Sequence, residues 1–345
     1  MALGLNRAFS DDIAIDLGTA NTLVYVHGRG VIIDEPSAVA VRVHNGTREV
    51  LAVGATAKAM AGRTPEAIEI IRPLRDGVVA DFIATEEMLR QFIRRAKSML
   101  GFRRPRILIC VPAGATPVER KAVYDTAVSA GARKVYLVEE PVAASLGAGL
   151  PVDSQGGAMV VDIGGGTSDI AVLSLGDVVQ ARSLRVAGNA MDEAIVRYVR
   201  KTHQLLIGEG NAERIKIEAG SAITQASAMD TEIHIRGRDT RHGRPKSAIL
   251  RPENVAEALA EPIQSLAEFI QRALEDLPPD VAADIYERGI HLTGGGALLD
   301  RLDQELTRRV GVRFVVPDNP MHCVINGTAL LLENLQRREH LLIRP

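Results

Sequence analysis

Tryptophan is absent from the 345 residues, and six phenylalanines and five tyrosines are the only aromatics. Base-stacking platforms for single-stranded nucleic acid need more aromatic surface than that. Cysteine is scarce as well, with Cys110 and Cys323 alone. Two cysteines cannot build a disulfide framework or a CxxC-based zinc site. Cys110 sits in the apolar run 107–111 and reads as a small buried hydrophobe, as expected in a reducing compartment. No sign of charge dominates: 41 Lys and Arg against 43 Asp and Glu leave a net −2. A general nucleic-acid binder would carry a strong basic excess. No apolar run reaches the roughly 18 residues of a membrane span. The first residues lack the basic start and apolar core of a secretory signal. Several site signatures are missing too. No Gly-Lys pair occurs, which excludes a P-loop, and no GxGxxG occurs, which weakens a dinucleotide reading. There is no HExxH, and the eight histidines lack metal-ligand spacing.

What is present is a well-folding chain. Hydrophobic residues make up 46% and charged residues 24%, and at about 150 residues per domain the length predicts two domains. Residues 13–26 hold two apolar runs around a Gly-Thr-Ala-Asn turn, and short β-branched segments follow at 31–33, 38–43 and 50–53. A helix is expected over 81–100, with Phe82, Met88, Leu89, Phe92, Ile93, Ala96 and Leu100 on one face. Strand 107–111 precedes a helix opened by Thr116-Pro117-Val118-Glu119, a capping-box sequence. Strand 135–138 leads to a helix opened at Pro141. The second half reads as strands 159–163 and 170–175, then helices capped by Asn189 and Asn211. Residues 231–247 read as a polar hairpin or loop. Helices fill much of 252–277, with Pro262 as a break or kink. Strand 290–293, a helix over 298–310, strand 312–316 and a helix over 324–335 complete the pattern.

One pattern occurs twice. Asp16-Leu17-Gly18-Thr19-Ala20-Asn21-Thr22 follows one strand, and Asp162-Ile163-Gly164-Gly165-Gly166-Thr167-Ser168 follows another, offset by 146 residues. Each is strand, acid, glycine turn with hydroxyls, strand. Glycines let backbone N–H groups approach an anion closely, and Thr19, Asn21, Thr22, Thr167 and Ser168 add side-chain donors. A carboxylate at each strand end would repel phosphate but suits a hydrated Mg²⁺ that bridges phosphates. Two such hairpins facing each other would clamp a polyphosphate. A third glycine run, Gly294-Gly295-Gly296-Ala297, offers backbone to the rest of a nucleotide.

With Glu140-Pro141-Val142-Ala143-Ala144 between the hairpins, these motifs resemble the phosphate, connecting and adenosine motifs of the actin-like ATPase superfamily. The stretches 13–23, 71–82, 111–120, 160–175, 211–216 and 292–299 are most similar to its MreB family of bacterial cell-shape proteins, and the resemblance runs from about 11 to 333. It implies an α/β, actin-like ATPase fold of two duplicated βββαβα domains around a nucleotide cleft. The first would span 1–150 with an inserted subdomain at about 32–76. The second would span 151–345 with an insertion at about 185–255 and a C-terminal helix returning to the first domain. By residue type, Gly18, Thr19, Ala20 and Asn21 would line one phosphate loop and Gly164, Gly165, Gly166 and Thr167 the other. Asp16 and Asp162 would orient Mg²⁺ through water. Glu213 and Lys216 match ribose and adenine-side contacts, and Gly294, Gly295, Gly296 and Ala297 would pack on the adenosine of ATP or ADP. Glu140, beside Glu139, matches the water-positioning glutamate, assisted by Thr167. The activity implied is a slow ATPase coupled to filament dynamics.

Two surface features bear on partners. Between 94 and 106 there are six cations and no acid, interleaved with Met99, Leu100 and Phe102. Apolar residues on a cation-ringed loop suit an anionic leaflet, at about 1 kcal/mol per nearby cation. Met1, Leu5, Ala8 and Phe9 form a second amphipathic candidate. Val118 matches a position at the family's antiparallel protofilament interface. The partners implied are further copies in paired polar protofilaments, an anionic membrane surface on the cytoplasmic side, and membrane-embedded shape and wall-synthesis proteins, but not nucleic acid. The rival readings on the same fold are a DnaK-type chaperone ATPase, which would need a substrate domain, and a small-molecule kinase, which would need an acceptor pocket.

Overall fold

The computed structural model describes residues 12–44, 47–61, 67–75, 77–98, 104–152, 155–223 and 232–344. The first half opens with β1 (Ile13–Leu17), β2 (Asn21–Val26) and β3 (Gly30–Pro36), an antiparallel meander. A small sheet follows from β4 (Val39–His44), β5 (Thr47–Val53) and, after helix α1 (Ala55–Met60), β6 (Ile68–Ile71). The short hairpin β7 (Leu74–Arg75) and β8 (Val78–Val79) leads into α2 (Phe82–Ser98). Then come β9 (Arg106–Val111), α3 (Pro117–Ser129), β10 (Lys134–Glu139) and α4 (Glu140–Gly147).

The second half runs β11 (Ala158–Ile163), β12 (Ser168–Ser174), β13 (Asp177–Leu184), α5 (Gly188–His203), β14 (Leu205–Leu206) and α6 (Glu209–Ala219). The hairpin β15 (Ile233–Asp239) and β16 (Pro245–Leu250) pairs with β14. Next come α7 (Pro252–Glu275), α8 (Pro279–Arg288), β17 (Ile290–Thr293), α9 (Leu302–Val310), β18 (Phe314–Val315) and α10 (Cys323–Glu333).

The two large sheets share one plan. Their orders are β10-β9-β1-β2-β3 and β18-β17-β11-β12-β13. In each, the first three strands are antiparallel and the last two join parallel to the first. Parallel partners require helical crossovers, and the intervening helices supply them. Strand alternation then sorts the core. Ile13, Ile15, Ile107 and Ile109 face α2 and α3, while Ala14, Leu108 and Val138 face the other way. In the second sheet Met159, Val161 and Ile163 face α5 and α7, while Val160, Ala171 and Leu173 turn toward the same shared layer. That middle layer holds α4 and α10, packed backbone to backbone. A Cβ on Gly327 would lie 1.7 Å from the Ala143 carbonyl oxygen, and one on Gly147 would lie 1.8 Å from that of Cys323. Both cysteines are free and buried.

Local chemistry accounts for several elements. Thr116 caps α3 through the Glu119 N–H, and the Glu119 carboxylate accepts from the Thr116 N–H, closing the capping box. Met88, Leu89, Phe92, Ile93 and Ala96 of α2 are fully buried, but Phe82 is 52% exposed. Phe82 occupies the first helical position, ahead of the core contact that starts at Ala84. Leu100 lies outside the described residues.

Other expectations are corrected. Asn189 and Asn211 do not cap; the cap residues are Ala187 and Gly208. The first amides of α5 instead donate to carbonyls of the distant glycine turn, Gly188 N to Gly164 O at 3.1 Å and Asn189 N to Gly165 O at 2.7 Å. Pro262 does not break α7, which runs through it with the proline ring buried. The helix expected from 298 begins at Leu302, after a 3₁₀ turn over Gly295–Leu298. Helices α1 and α8 were not anticipated, although Pro279 at the first turn of α8 is a favoured helix-start residue.

Candidate nucleotide site

The turns of both β-hairpins, the start of α4, the inner side of α6 and the glycine turn after β17 surround one cavity of about 640 Å³. Asp16 is the penultimate residue of β1, beside the first turn, and Gly18, Thr19, Ala20 and Asn21 line the wall there. Asp162 and Gly164, Gly165, Gly166 and Thr167 line the facing wall, with Glu140 between them. Glu213, Lys216, Gly294, Gly295 and Gly296 also reach the cavity. The two turns nearly touch: a Cβ on Gly165 would lie 2.6 Å from the Ala20 methyl. Gly294 holds a positive φ of 79° and lies against the Ile163 carbonyl, where a Cβ would come within 2.4 Å.

Ala297 is the exception among the expected lining residues. The 3₁₀ turn rotates its methyl into the core of the second half, leaving Leu298 and Leu299 at the cavity. Of the adjacent glutamates, Glu140 lines the cavity and Glu139 does not. Val118 is 74% exposed on the first turn of α3, away from the cavity lining. Met99, Leu100, Phe102 and the amphipathic start, including Met1, Leu5, Ala8 and Phe9, lie outside the described residues.

The acids sit in a low-dielectric place, and among the described residues no cation offsets the rise in their proton affinity. Asp16 is raised from the ordinary 3.8 to about 8, by burial first and then by Asp162 and Asp34. Asp162 is raised to about 7, chiefly by burial, although Thr293 donates to its Oδ1 at 2.7 Å. Burial pushes Glu140 well above the carboxylate range, reinforced by Asp169, Asp16 and Asp162. Such a cluster asks for a cation. Among the described residues no three acids, histidines or cysteines are grouped to ligate a metal by themselves. The donor set therefore suits Mg²⁺, which keeps waters and takes other ligands from phosphates.

Some lining residues carry no motif. Asp192 pairs with Lys216 at 2.8 Å, and the Lys216 ammonium also donates to the Gly188 carbonyl at 2.9 Å. Lys216 is thus held in place before any ligand enters. Ile217, Leu298 and Met321 are exposed apolar side chains on the cavity rim. A planar base would cover them. Their signal in the sequence is faint, because a single exposed apolar residue is ordinary.

The cavity is bridged at its mouth. Lys58, at the end of α1, pairs with Glu213 of α6 at 3.1 Å, and Arg72, just past β6, pairs with Glu209 at 3.0 Å. Deeper down, Gly77 N donates to Thr19 Oγ1 at 3.1 Å. A Cβ on Gly77 would also lie 3.1 Å from the Thr167 methyl, so Gly77 lies against both glycine turns.

Comparison with known proteins agrees with this geometry. The family described as MreB/Mbl protein matches residues 10–340. The cell shape-determining protein MreB of Escherichia coli strain K12 is 50% identical over 328 residues, covering 94% of each chain. The cell shape-determining protein Mbl of Bacillus subtilis strain 168 is 46% identical over 329 residues, covering 95% of this chain and 98% of the relative. Among solved structures, MreB5 of Spiroplasma citri bound to AMPPNP superposes with a TM-score of 0.89 at 35% identity, over 95% of this chain and 97% of the other. A MamK double helical filament subunit shares the fold with a TM-score of 0.77 at 22% identity, over 93% and 99%.

Proposed function

The chain belongs to the MreB/Mbl family, and from that premise we propose that it is an ATP-binding bacterial actin that organises cell-wall synthesis and maintains rod shape. Its two halves, 1–150 and 151–345, act as the two domains around the nucleotide. The observation that carries this reading is the pair of glycine turns facing each other across a nucleotide-sized cavity, with Asp16, Asp162 and Glu140 buried at its floor. Close relatives by sequence are cell shape-determining proteins, and the Spiroplasma structures hold AMPPNP and ADP.

The residues divide the work by their chemistry. Backbone N–H groups of the turns at 18–21 and 164–167 cradle the phosphates, with the Thr19 hydroxyl beside them. Glu213 and Lys216 face the ribose and adenine side, and the backbone at 294–296 lies against the adenosine. Asp16 and Asp162 would hold Mg²⁺ through water, and the ion would neutralise phosphate charge. Glu140 accepts a hydrogen bond from water and aligns it for in-line attack on the γ-phosphate, and Thr167 helps to orient it. Neutralising its acidic neighbours would lower the raised proton affinity of Glu140 and favour the ionised carboxylate that accepts from water. Hydrolysis is slow and times the filament.

The filament is built from head-to-tail copies that do not close into a ring, paired antiparallel with Val118 at the lateral contact. It lies on the inner face of the cytoplasmic membrane, docked by Met99, Leu100 and Phe102, next to membrane-embedded wall-synthesis proteins. Among the described residues no helix is long and apolar enough to cross a membrane. Negative-stain microscopy with ATP and Mg²⁺ on anionic vesicles should show paired straight filaments. Replacing Met99, Leu100 and Phe102 with Ser should release them from the vesicles. A monomer that phosphorylates a sugar instead would end the cytoskeletal reading.

A further inference from the structure

Asp169 has no place in the site described so far, and its surroundings are unusual for a structural residue. It is the second residue of β12, directly across the ladder from Asp162 and on the same face of the sheet. It is fully buried. One carboxylate oxygen accepts from the Ala113 N–H at 3.2 Å, a donor supplied by the loop after β9 in the other half of the molecule. The other oxygen, Oδ2, is buried with no hydrogen-bond partner. The Thr167 and Ser183 hydroxyls are its neighbours and hold its proton affinity down against the larger effect of burial.

A buried carboxylate oxygen without a donor is destabilising, because it gives up its hydration and gains no bond in return. If Asp169 served only to tie the two halves through Ala113, an uncharged acceptor such as Asn would do so more cheaply. The free oxygen is therefore the part that calls for a role. The Thr167 hydroxyl, at the end of the catalytic turn and two residues before Asp169, is a neighbour of this carboxylate. A threonine hydroxyl has one proton and two lone pairs. If the proton points into the cleft, it competes with water for the Glu140 carboxylate. If the proton is taken from behind, the lone pairs face the cleft and receive the water.

We propose that Asp169 is a positioning residue for hydrolysis: its free oxygen accepts the Thr167 hydroxyl proton and fixes that hydroxyl as an acceptor toward the attacking water. The proposal rests on the nucleotide reading above. Its anchor on Ala113 adds a consequence. The orientation of Thr167 depends on contact between the two halves, so hydrolysis is fastest when they are closed.

The test is single-turnover phosphate release from ATP and Mg²⁺ by the full chain carrying Asp169→Asn, Asp169→Ala, Thr167→Val, or Asp169→Ala with Thr167→Val. Asparagine can still accept from Ala113 but presents an NH₂ group to Thr167. Asp169→Asn should therefore slow release by about 10- to 100-fold, with melting temperature and the affinity for a fluorescent ATP analogue near wild type. Adding Asp169→Ala to Thr167→Val should slow release no further, because the two act through one hydroxyl. Wild-type release by Asp169→Asn, or additive losses in the double variant, would overturn the role. A wild-type chain that neither binds nor hydrolyses ATP would instead remove the nucleotide reading itself.

Discussion

Glu140, Asp16 and Asp162 are placed where an ionised carboxylate is least stable, and this has two measurable consequences. Removing the carboxylate of Glu140 with Glu140→Gln should slow ATP hydrolysis by about 10²-fold or more, with nucleotide affinity retained, as read by phosphate release and by titration of a fluorescent ATP analogue. The second consequence is in stability. The unfolded aspartates ionise near 3.8, whereas the folded Asp16 and Asp162 hold their protons to about 8 and about 7. Between those limits the folded chain binds more protons than the unfolded one, so stability falls as pH rises. The melting temperature of the nucleotide-free protein should drop from pH 5 to pH 8, and Mg²⁺ with ATP should flatten that slope. A melting temperature that climbs over this range would show that the acids are compensated some other way. Asp16 and Asp162 stand out in the sequence because their motif is local and repeated, whereas Glu140 is singled out only by the resemblance to the family. Asp169 does not stand out, since only burial and the absence of a donor distinguish it from any other strand aspartate.

At the scale of elements, helices and hairpins followed their own sequence wherever their partners were close in the chain. The apolar phase of α2, the capping box of α3 and the twin hairpins all belong to this class. Elements whose ends are satisfied from far away did not. The start of α5 resembles an Asn cap, yet its amides donate to Gly164 and Gly165 carbonyls. The backbone-to-backbone approach of α4 and α10 is equally invisible in sequence, although the resemblance implies a C-terminal helix that returns to the first half. Gly327→Ala would drive a methyl into the Ala143 carbonyl, and no side chain is available there to give way. We expect a loss of about 3 kcal/mol, at the upper end for overpacking, read as a lower midpoint in urea. Gly28→Ala, in an open turn where a Cβ meets nothing within 4 Å, should cost less despite its positive φ.

For the whole molecule, the cleft is closed at its mouth by Lys58–Glu213 and Arg72–Glu209. Each pair is about half exposed, so each contributes at most about 1 kcal/mol. Together they bias the two halves toward closure. With Lys58→Ala and Arg72→Ala combined, a fluorescent nucleotide should leave about two- to tenfold faster. The same acceleration should come from raising the salt on wild type, and salt should have little effect on the double variant. An off-rate indifferent to both would place the barrier to release deeper in the site. The near-zero net charge hides this arrangement, as it hides the cations between 94 and 106, because a sum over the chain discards position.

The sequence by itself determined the strands, the glycine turns, the acid at each strand end and the duplication of that unit. Those features depend on the backbone freedom of glycine and on periodicity over a few residues, which are properties of neighbours along the chain. Tertiary structure alone decided that Ala20 meets Gly165, that Ala297 turns into the core and that Lys58 reaches Glu213. It also decided that Asp169 is left with an unpaired oxygen. Each of these depends on which distant segment arrives at a given surface, and burial then sets the energy of the contact. A pattern read along one strand carries no record of what packs across from it.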